Sequence, residues 1–219
     1  MGLSPGDGRR GFGRRGTGSV KIRDAKKQAS RARVVEAAKA LFSEIGFQET
    51  TVRMIAERAG LSPGGVFTTF EDKVAILCQI LADSREALLE ELKALVPTLT
   101  GSTRDRLHAI ISHAHQRELP RLRMVLAHIG ASYGWSAKLE AEYELLHQRL
   151  ISVGLGLLAE GVARGEVRKD LDAELLMDLI TSAYMRNSRT AYYAGLSAEA
   201  LDDRIRRQLE LMFDGAGVQ

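Results

Sequence analysis

The chain has 219 residues, 45% of them apolar, 27% charged and 5% aromatic. That is enough hydrophobic material for one fair-sized core or two small ones, and it excludes disorder over most of the length. The longest stretch free of Asp, Glu, Lys and Arg, Met124 to Ala137, is shorter than the roughly 18 apolar residues of a membrane span, and the net charge of +3 divides into +8 over residues 1 to 33 and −5 over the rest.

A basic tail on an acidic body suits a polyanion such as nucleic acid, and a solvated tail that only aids solubility is the plain alternative. Seven of the 21 glycines fall within the first 18 residues, interleaved with Arg9, Arg10, Arg14 and Arg15. Such a segment has little to bury, so residues 1–30 are expected to form a flexible basic arm. No apolar run follows these arginines, and the first residues lack the Ser or Thr of a myristoylation signal. The expected location is the cytoplasm, with no membrane partner.

From Val34 the apolar residues recur at three and four: Val34, Ala37 and Ala38, Leu41 and Phe42, Ile45, then Gly46 as a stop. This period predicts an amphipathic helix. The same period runs through Val74 to Leu95, Arg104 to Arg117, Leu122 to Ser132, Ala137 to Ala163, Ala173 to Tyr193 and Ala198 to Phe213, while Pro63, Pro97 and Pro120 stand at helix edges. No segment alternates as a strand would. The chain is therefore expected to be all-α, with nine helices, the first three small and the rest a bundle. Cys78 is the only cysteine, which leaves no intrachain disulfide and no thiolate metal cluster.

Two of the short helices flank Gly60. Ala56 lies where they cross and a larger side chain would force them apart, Gly60 supplies the positive φ of a tight turn, and Val66 plugs the angle from below. Ser62 is a good N-cap with Pro63 at the first helical position. This is a helix-turn-helix pattern, whose second helix enters the major groove of DNA.

The residues around it carry a more specific likeness. The run Ala37-Ala38, Leu41-Phe42, Gly46-Phe47, Thr50-Thr51-Val52, Ile55-Ala56, Ala59-Gly60-Leu61-Ser62-Pro63-Gly64, Phe67, Phe70 and Lys73 resembles the DNA-binding domain of the tetracycline-repressor (TetR) family. The likeness covers Arg31 to Leu81; beyond it only the helix count and the turn Gly161 to Arg168 are similar. It implies a homodimeric regulator, usually a repressor, that binds a palindromic operator. Residues 31–73 would be the DNA-binding domain, and residues 74–219 a larger helical domain that binds a small apolar effector and dimerises through the last two helices. It further implies that Arg53 reaches a guanine edge, that Thr51 caps its helix and meets a phosphate, and that Lys73 clamps a phosphate. Two positions depart from the family: Phe67 stands where Tyr is common, and Thr69 where His is frequent. The recognition helix thus has few long polar side chains, leaving Thr68 as its best base contact and Gly64 and Gly65 for close backbone approach.

In the second domain Trp135, Tyr133, Tyr143, His147, Tyr184 and Asn187 sit in the helices that would surround a cavity, and Tyr143, His147, Leu150 and Gly154 share one face. Ordinary core packing is the plain alternative. His108 and His115 share a face without the i, i+4 spacing and carboxylate of a helical metal site, so neither metal nor cofactor is expected. Leu175, Leu179, Ala183, Leu201, Ile205, Leu209 and Met212 make apolar stripes on the last two helices that suit a two-fold interface, burial entirely within one subunit being the plain alternative. No nucleophile with a base, no paired carboxylates at a loop and no glycine-rich phosphate loop are identifiable, so an enzyme is a poor second reading. A helical adaptor that docks its basic arm on an acidic protein is another.

Overall fold

The computed structural model describes residues 17–215, and among them it is helical throughout. Nine α-helices run in order: α1 Thr17–Glu44, α2 Val52–Arg58, α3 Pro63–Phe67, α4 Lys73–Leu95, α5 Thr103–Glu118, α6 Leu122–Ser132, α7 Ala137–Ala163, α8 Ala173–Ala194 and α9 Ala198–Asp214. Most of their starts are fixed by side chains that accept an otherwise unpaired backbone N–H, as Thr51, Ser62, Asp72, Ser136, Asp172 and Ser197 do; Ser102 and Asp105 form a full capping box.

The expected arm needs correction. Residues 1–16 lie outside the described residues, but Thr17 to Ser30 belong to α1 and not to a flexible segment. The stretch from Ser19 to Ser30 contains neither Gly nor Pro and includes Ala25, Lys26, Lys27, Gln28 and Ala29. Once the packed part of α1 has nucleated, good helix formers of this kind extend it one hydrogen bond at a time.

Two hydrophobic cores follow. One gathers Val34, Ala38, Leu41 and Phe42 of α1, Ile55 and Ala56 of α2, Val66 of α3, Ile76, Leu77 and Ile80 of α4, and Met124 of α6. The other gathers Leu88 and Leu92 of α4 with Leu107 and Ile110 of α5, Leu157 and Leu158 of α7, Ile180 of α8 and Leu201, Ile205 and Leu209 of α9. α4 thus contributes its first half to one core and its second half to the other. Residue 73, the expected domain boundary, is the first residue of this shared helix. Because a continuous helix is stiff, the two cores are mechanically joined, and α6 adds a second link by packing on α1 and α4.

The stripe read on α9 is also corrected. Leu201, Ile205 and Leu209 are buried within the chain, where α9 packs on α5, and are not available to a partner. The large apolar residues left exposed on these two helices are Leu175, Leu179, Met185, Tyr192 and Tyr193 of α8 and Leu211 of α9.

At the far end of the bundle, the Glu166 carboxylate accepts from both the Thr103 N–H, at 2.6 Å, and the Thr103 hydroxyl, at 2.8 Å. Gly161 lets this junction close. A Cβ there would stand 2.3 Å from Thr103 Oγ1, so Gly161→Ala is expected to lower the melting temperature by several degrees, read by circular dichroism.

Candidate nucleic-acid interface and internal cavity

α2 and α3 cross on small residues. Ala56 and Val66 are each 1% exposed, Gly60 takes φ of +64°, and the Leu61 N–H donates to the Ala56 carbonyl at 2.9 Å. The turn presents Thr51, Arg53, Ser62, Gly64, Phe67 and Thr68 to solvent, with Gly65 and Thr69 half-buried. Thr51 and Ser62 both act as N-caps, accepting from Met54 N at 3.2 Å and Gly65 N at 3.1 Å. Phe67 leaves an apolar ring 56% exposed on a five-residue helix. The Thr68 hydroxyl donates to the Gly65 carbonyl at 2.7 Å and that of Thr69 to the Val66 carbonyl at 2.9 Å. In this arrangement Thr68 keeps its lone pairs free, which suits the amino group of an adenine or cytosine.

Lys73 departs from the role expected of it. Its ammonium donates to the carbonyls of Phe47 at 2.6 Å, Thr50 at 2.9 Å and Gln48 at 3.3 Å, and lies 4.3 Å from the centroid of the Phe47 ring. A lysine has three N–H donors, and all three are spent on the loop between α1 and α2. Partial burial lowers its pKa. Lys73 therefore ties down the chain that leads into Thr51 and Arg53, and no donor is left over for a phosphate.

Sequence spacing gave no sign of Arg31. Its Nη1 donates to the Thr69 carbonyl at 2.9 Å and its guanidinium lies 4.2 Å from the Phe70 ring centroid. It pins α1 to the chain leaving the recognition helix. A contact across 38 residues leaves no periodic trace in one sequence.

Between α4, α5, α6, α7 and α8 lies a cavity of about 160 Å³. Its walls are mostly apolar, among them Leu88, Leu92, Ile110, Val125, Leu150 and Ile180, and polar groups gather on Arg85, Glu118, His128, Tyr143, His147 and Tyr184. Arg85 donates to the Tyr143 hydroxyl at 2.9 Å and stacks 4.3 Å from that ring's centroid. Glu118 interacts with the Tyr184 hydroxyl, yet its Oε2 is buried without a partner, and burial raises its carboxyl pKa. His128 is pushed down to about 3, by burial and then by the Arg85 charge. Behind Tyr184, the His115 ring stacks at 3.9 Å with neither nitrogen hydrogen-bonded, and burial takes it down to about 4.

Of the six residues expected around a cavity, Tyr143, His147 and Tyr184 line it. Trp135 stands behind the wall, edge-on to Tyr143 and His128 at 5.1 and 4.7 Å. Tyr133 is 91% exposed and points away, because α6 ends at Ser132 and the ring follows the turn into solvent. Asn187 is buried elsewhere: its side chain is held by Arg204 at 2.8 Å and Gln208 at 2.7 Å on the α9 side. Sequence reasoning missed Arg85 and Glu118, whose charges read as ordinary helix surface. The other two histidines of α5 go to separate carboxylates, His108 to Asp202 at 3.1 Å and His113 to Glu91 at 2.9 Å.

Residues 34–80, which span the crossing helices and the first half of α4, match the family described as "Bacterial regulatory proteins, tetR family". Over these residues the chain carries a TetR-family DNA-binding domain. This domain is that of DNA-binding transcriptional regulators. The chain is similar along most of its length to the HTH-type transcriptional repressor KstR2 of Rhodococcus jostii, with 24% identity over 197 residues that cover 86% of this chain and 92% of that one. Its fold is shared with Thermus thermophilus FadR, solved in complex with lauroyl-CoA, at a TM-score of 0.68 and 22% identity over 86% of this chain and 97% of that one. Bacillus subtilis FadR, solved with stearoyl-CoA, superposes at 0.66 with 18% identity over 86% and 99% of the two chains. Among the described residues no helix is long and apolar enough to cross a membrane.

Proposed function

We propose that the chain is a TetR-family repressor that binds a palindromic operator as a homodimer and is released when an acyl compound enters the cavity. The observation that carries the reading is α4. Lys73 and Ile76 belong to the DNA-binding domain, while Leu81, Ser84, Arg85, Leu88 and Leu92 of the same helix line the cavity. A ligand that displaces the second half of α4 tilts the first half, and with it the recognition helix. The two recognition helices of a dimer must stand about 34–36 Å apart to enter successive major grooves, so a small tilt spoils the fit. Release requires a ligand that favours the tilted form, since equal affinity for both forms shifts nothing.

The chemistry of the cavity supports an acyl group. Its apolar walls suit a hydrocarbon body, and Arg85 has donors beyond the one used on Tyr143, which suit a carbonyl or carboxylate oxygen. The volume of about 160 Å³ is close to that of an engineered apolar cavity of about 150 Å³ that holds one benzene ring. A ring-sized or short branched acyl group fits as the walls stand. The complexes of the FadR relatives with acyl-CoA support the thioester form. The test uses Trp135, the single indole, which touches two lining residues. Benzoyl-CoA, lauroyl-CoA and the corresponding free acids are added separately to the protein on DNA. A compound that both alters the indole emission and releases the duplex supports the reading; emission and binding unchanged by all four would overturn it.

For DNA contact, the reading keeps Arg53 on a guanine edge, Thr51 on a phosphate, and Ser62, Gly64, Gly65, Phe67, Thr68 and Thr69 along the groove. Arg53→Ala should cost roughly 1–3 kcal/mol on the operator and flatten base preference at one position of each half-site. Binding by a mutant with unchanged preference in a selection from random duplexes would sink that assignment. For the dimer, the reading uses the outer face of α8 and α9 with Leu175, Leu179 and Leu211 in place of the buried stripe. No catalytic step is part of it, and its expected site is the cytoplasm.

A further inference from the structure

The packed core of the DNA-binding domain starts at Val34, yet α1 starts at Thr17. From Arg23 to Ala29 every residue is exposed, even Ala25 and Ala29. About two turns of helix therefore overhang the domain. An overhang of this kind gains nothing from burial, and it is held helical by propagation from the packed part of α1. Its charges indicate what it is suited to meet, since Arg23, Lys26 and Lys27 stand against Asp24 alone.

Arg31 fixes where this overhang goes. Its guanidinium grips the Thr69 carbonyl at 2.9 Å, just past the end of the recognition helix. Lys27 and Arg23 precede Arg31 by four and eight residues, so they follow it along one slowly turning face of α1, about 6 and 12 Å further up the axis. That face begins at the recognition helix and continues beyond it. A major groove that holds α3 is bordered by phosphates, which a basic face continuing from that helix suits.

We propose that Arg23 and Lys27, carried on the rigid overhang of α1, contact phosphates that flank each half-site and so widen the DNA footprint beyond the recognition helix. The proposal rests on the DNA-binding reading. Duplex DNA is the partner that fits, because the charge is complementary and the basic face is continuous with the recognition helix through Arg31. A helix holds its charges at fixed spacing, so the contact falls on particular flanking phosphates and is lost when those are removed.

Duplexes selected from a random pool by the wild-type protein supply the probe, in two lengths: the site with about ten flanking base pairs on each side, and the site trimmed to its edges. Trimming should lower the wild-type slope of log affinity against log salt by about two per half-site. Arg23→Ala/Lys27→Ala should give one slope on both lengths, equal to that of wild type on the trimmed duplex. Both residues are exposed, so folding is not at stake. Ala25→Gly/Ala29→Gly keeps the charges but loosens the helix, and should lose part of the same increment. A wild-type slope unchanged by trimming, or a double alanine variant as sensitive to trimming as wild type, would overturn the contact. A glycine variant identical to wild type would overturn its dependence on a rigid helix. Failure of the wild-type protein to select any duplex would overturn the DNA-binding reading and the contact with it.

Discussion

Replacing Lys73 with Met should destabilise the DNA-binding domain by roughly 2–4 kcal/mol and leave the salt slope of DNA binding unchanged. The ammonium serves three carbonyls within 3.3 Å and covers the Phe47 ring. Methionine keeps most of the apolar stem and removes all the donors. Hydrogen bonds from a charged group each stabilise by roughly 1.5–3 kcal/mol, and those sharing one donor atom add less than fully. With the loop between α1 and α2 loosened, Thr51 and Arg53 lose the support that positions them. Affinity for DNA should fall through geometry, not through charge. The two origins separate in a salt titration, because a lost phosphate contact lowers the slope by about one and a lost support does not. Urea unfolding gives the stability change directly. A mutant as stable as wild type with a slope lower by one would restore Lys73 to the phosphate backbone.

That reversal shows how far a sequence can be read here. The helices were legible because each buries one stripe, and the period from Val34 to Ile45 or from Ala198 to Phe213 records it. The crossing of α2 and α3 was legible because Ala56, Gly60 and Val66 each answer a local steric demand. The partners of charged groups were not. Lys73 and Phe47, Arg31 and Thr69, and Arg85 and Tyr143 meet across 26, 38 and 58 residues, and nothing in the intervening chain encodes that meeting. The direction of a stripe was equally hidden. Leu201, Ile205 and Leu209 show that α9 has an apolar face, but only packing decides that α5 takes it. For the same reason Tyr133 and Trp135, two residues apart, end in solvent and against the cavity wall.

Acid should weaken the bundle before its carboxylates titrate, and His115 should account for a large part of the loss. The ring is 2% exposed, neither nitrogen has a partner, and burial alone takes its pKa from 6.5 to about 4. In the unfolded chain the same imidazole titrates near 6.5. Between those two values the unfolded state binds the proton and the folded state does not, so stability is full above 6.5 and falls with pH until about 4. The loss from His115 is on the order of 3 kcal/mol at the lower end. His128, pushed down to about 3, adds a loss of the same sign. Glu118 acts in the opposite sense, because burial raises its pKa and the folded state takes up its proton first. A single variant isolates the imidazole from both. His115→Phe keeps a flat ring against Tyr184 and removes the two unpaired nitrogens, leaving His128 and Glu118 in place. Denaturation midpoints of wild type and variant should differ by a constant amount near pH 7, and the difference should move increasingly in favour of the variant toward pH 4.5. Parallel profiles would mean that His115 is not held neutral in the fold, and that the acid sensitivity lies with the other cavity groups.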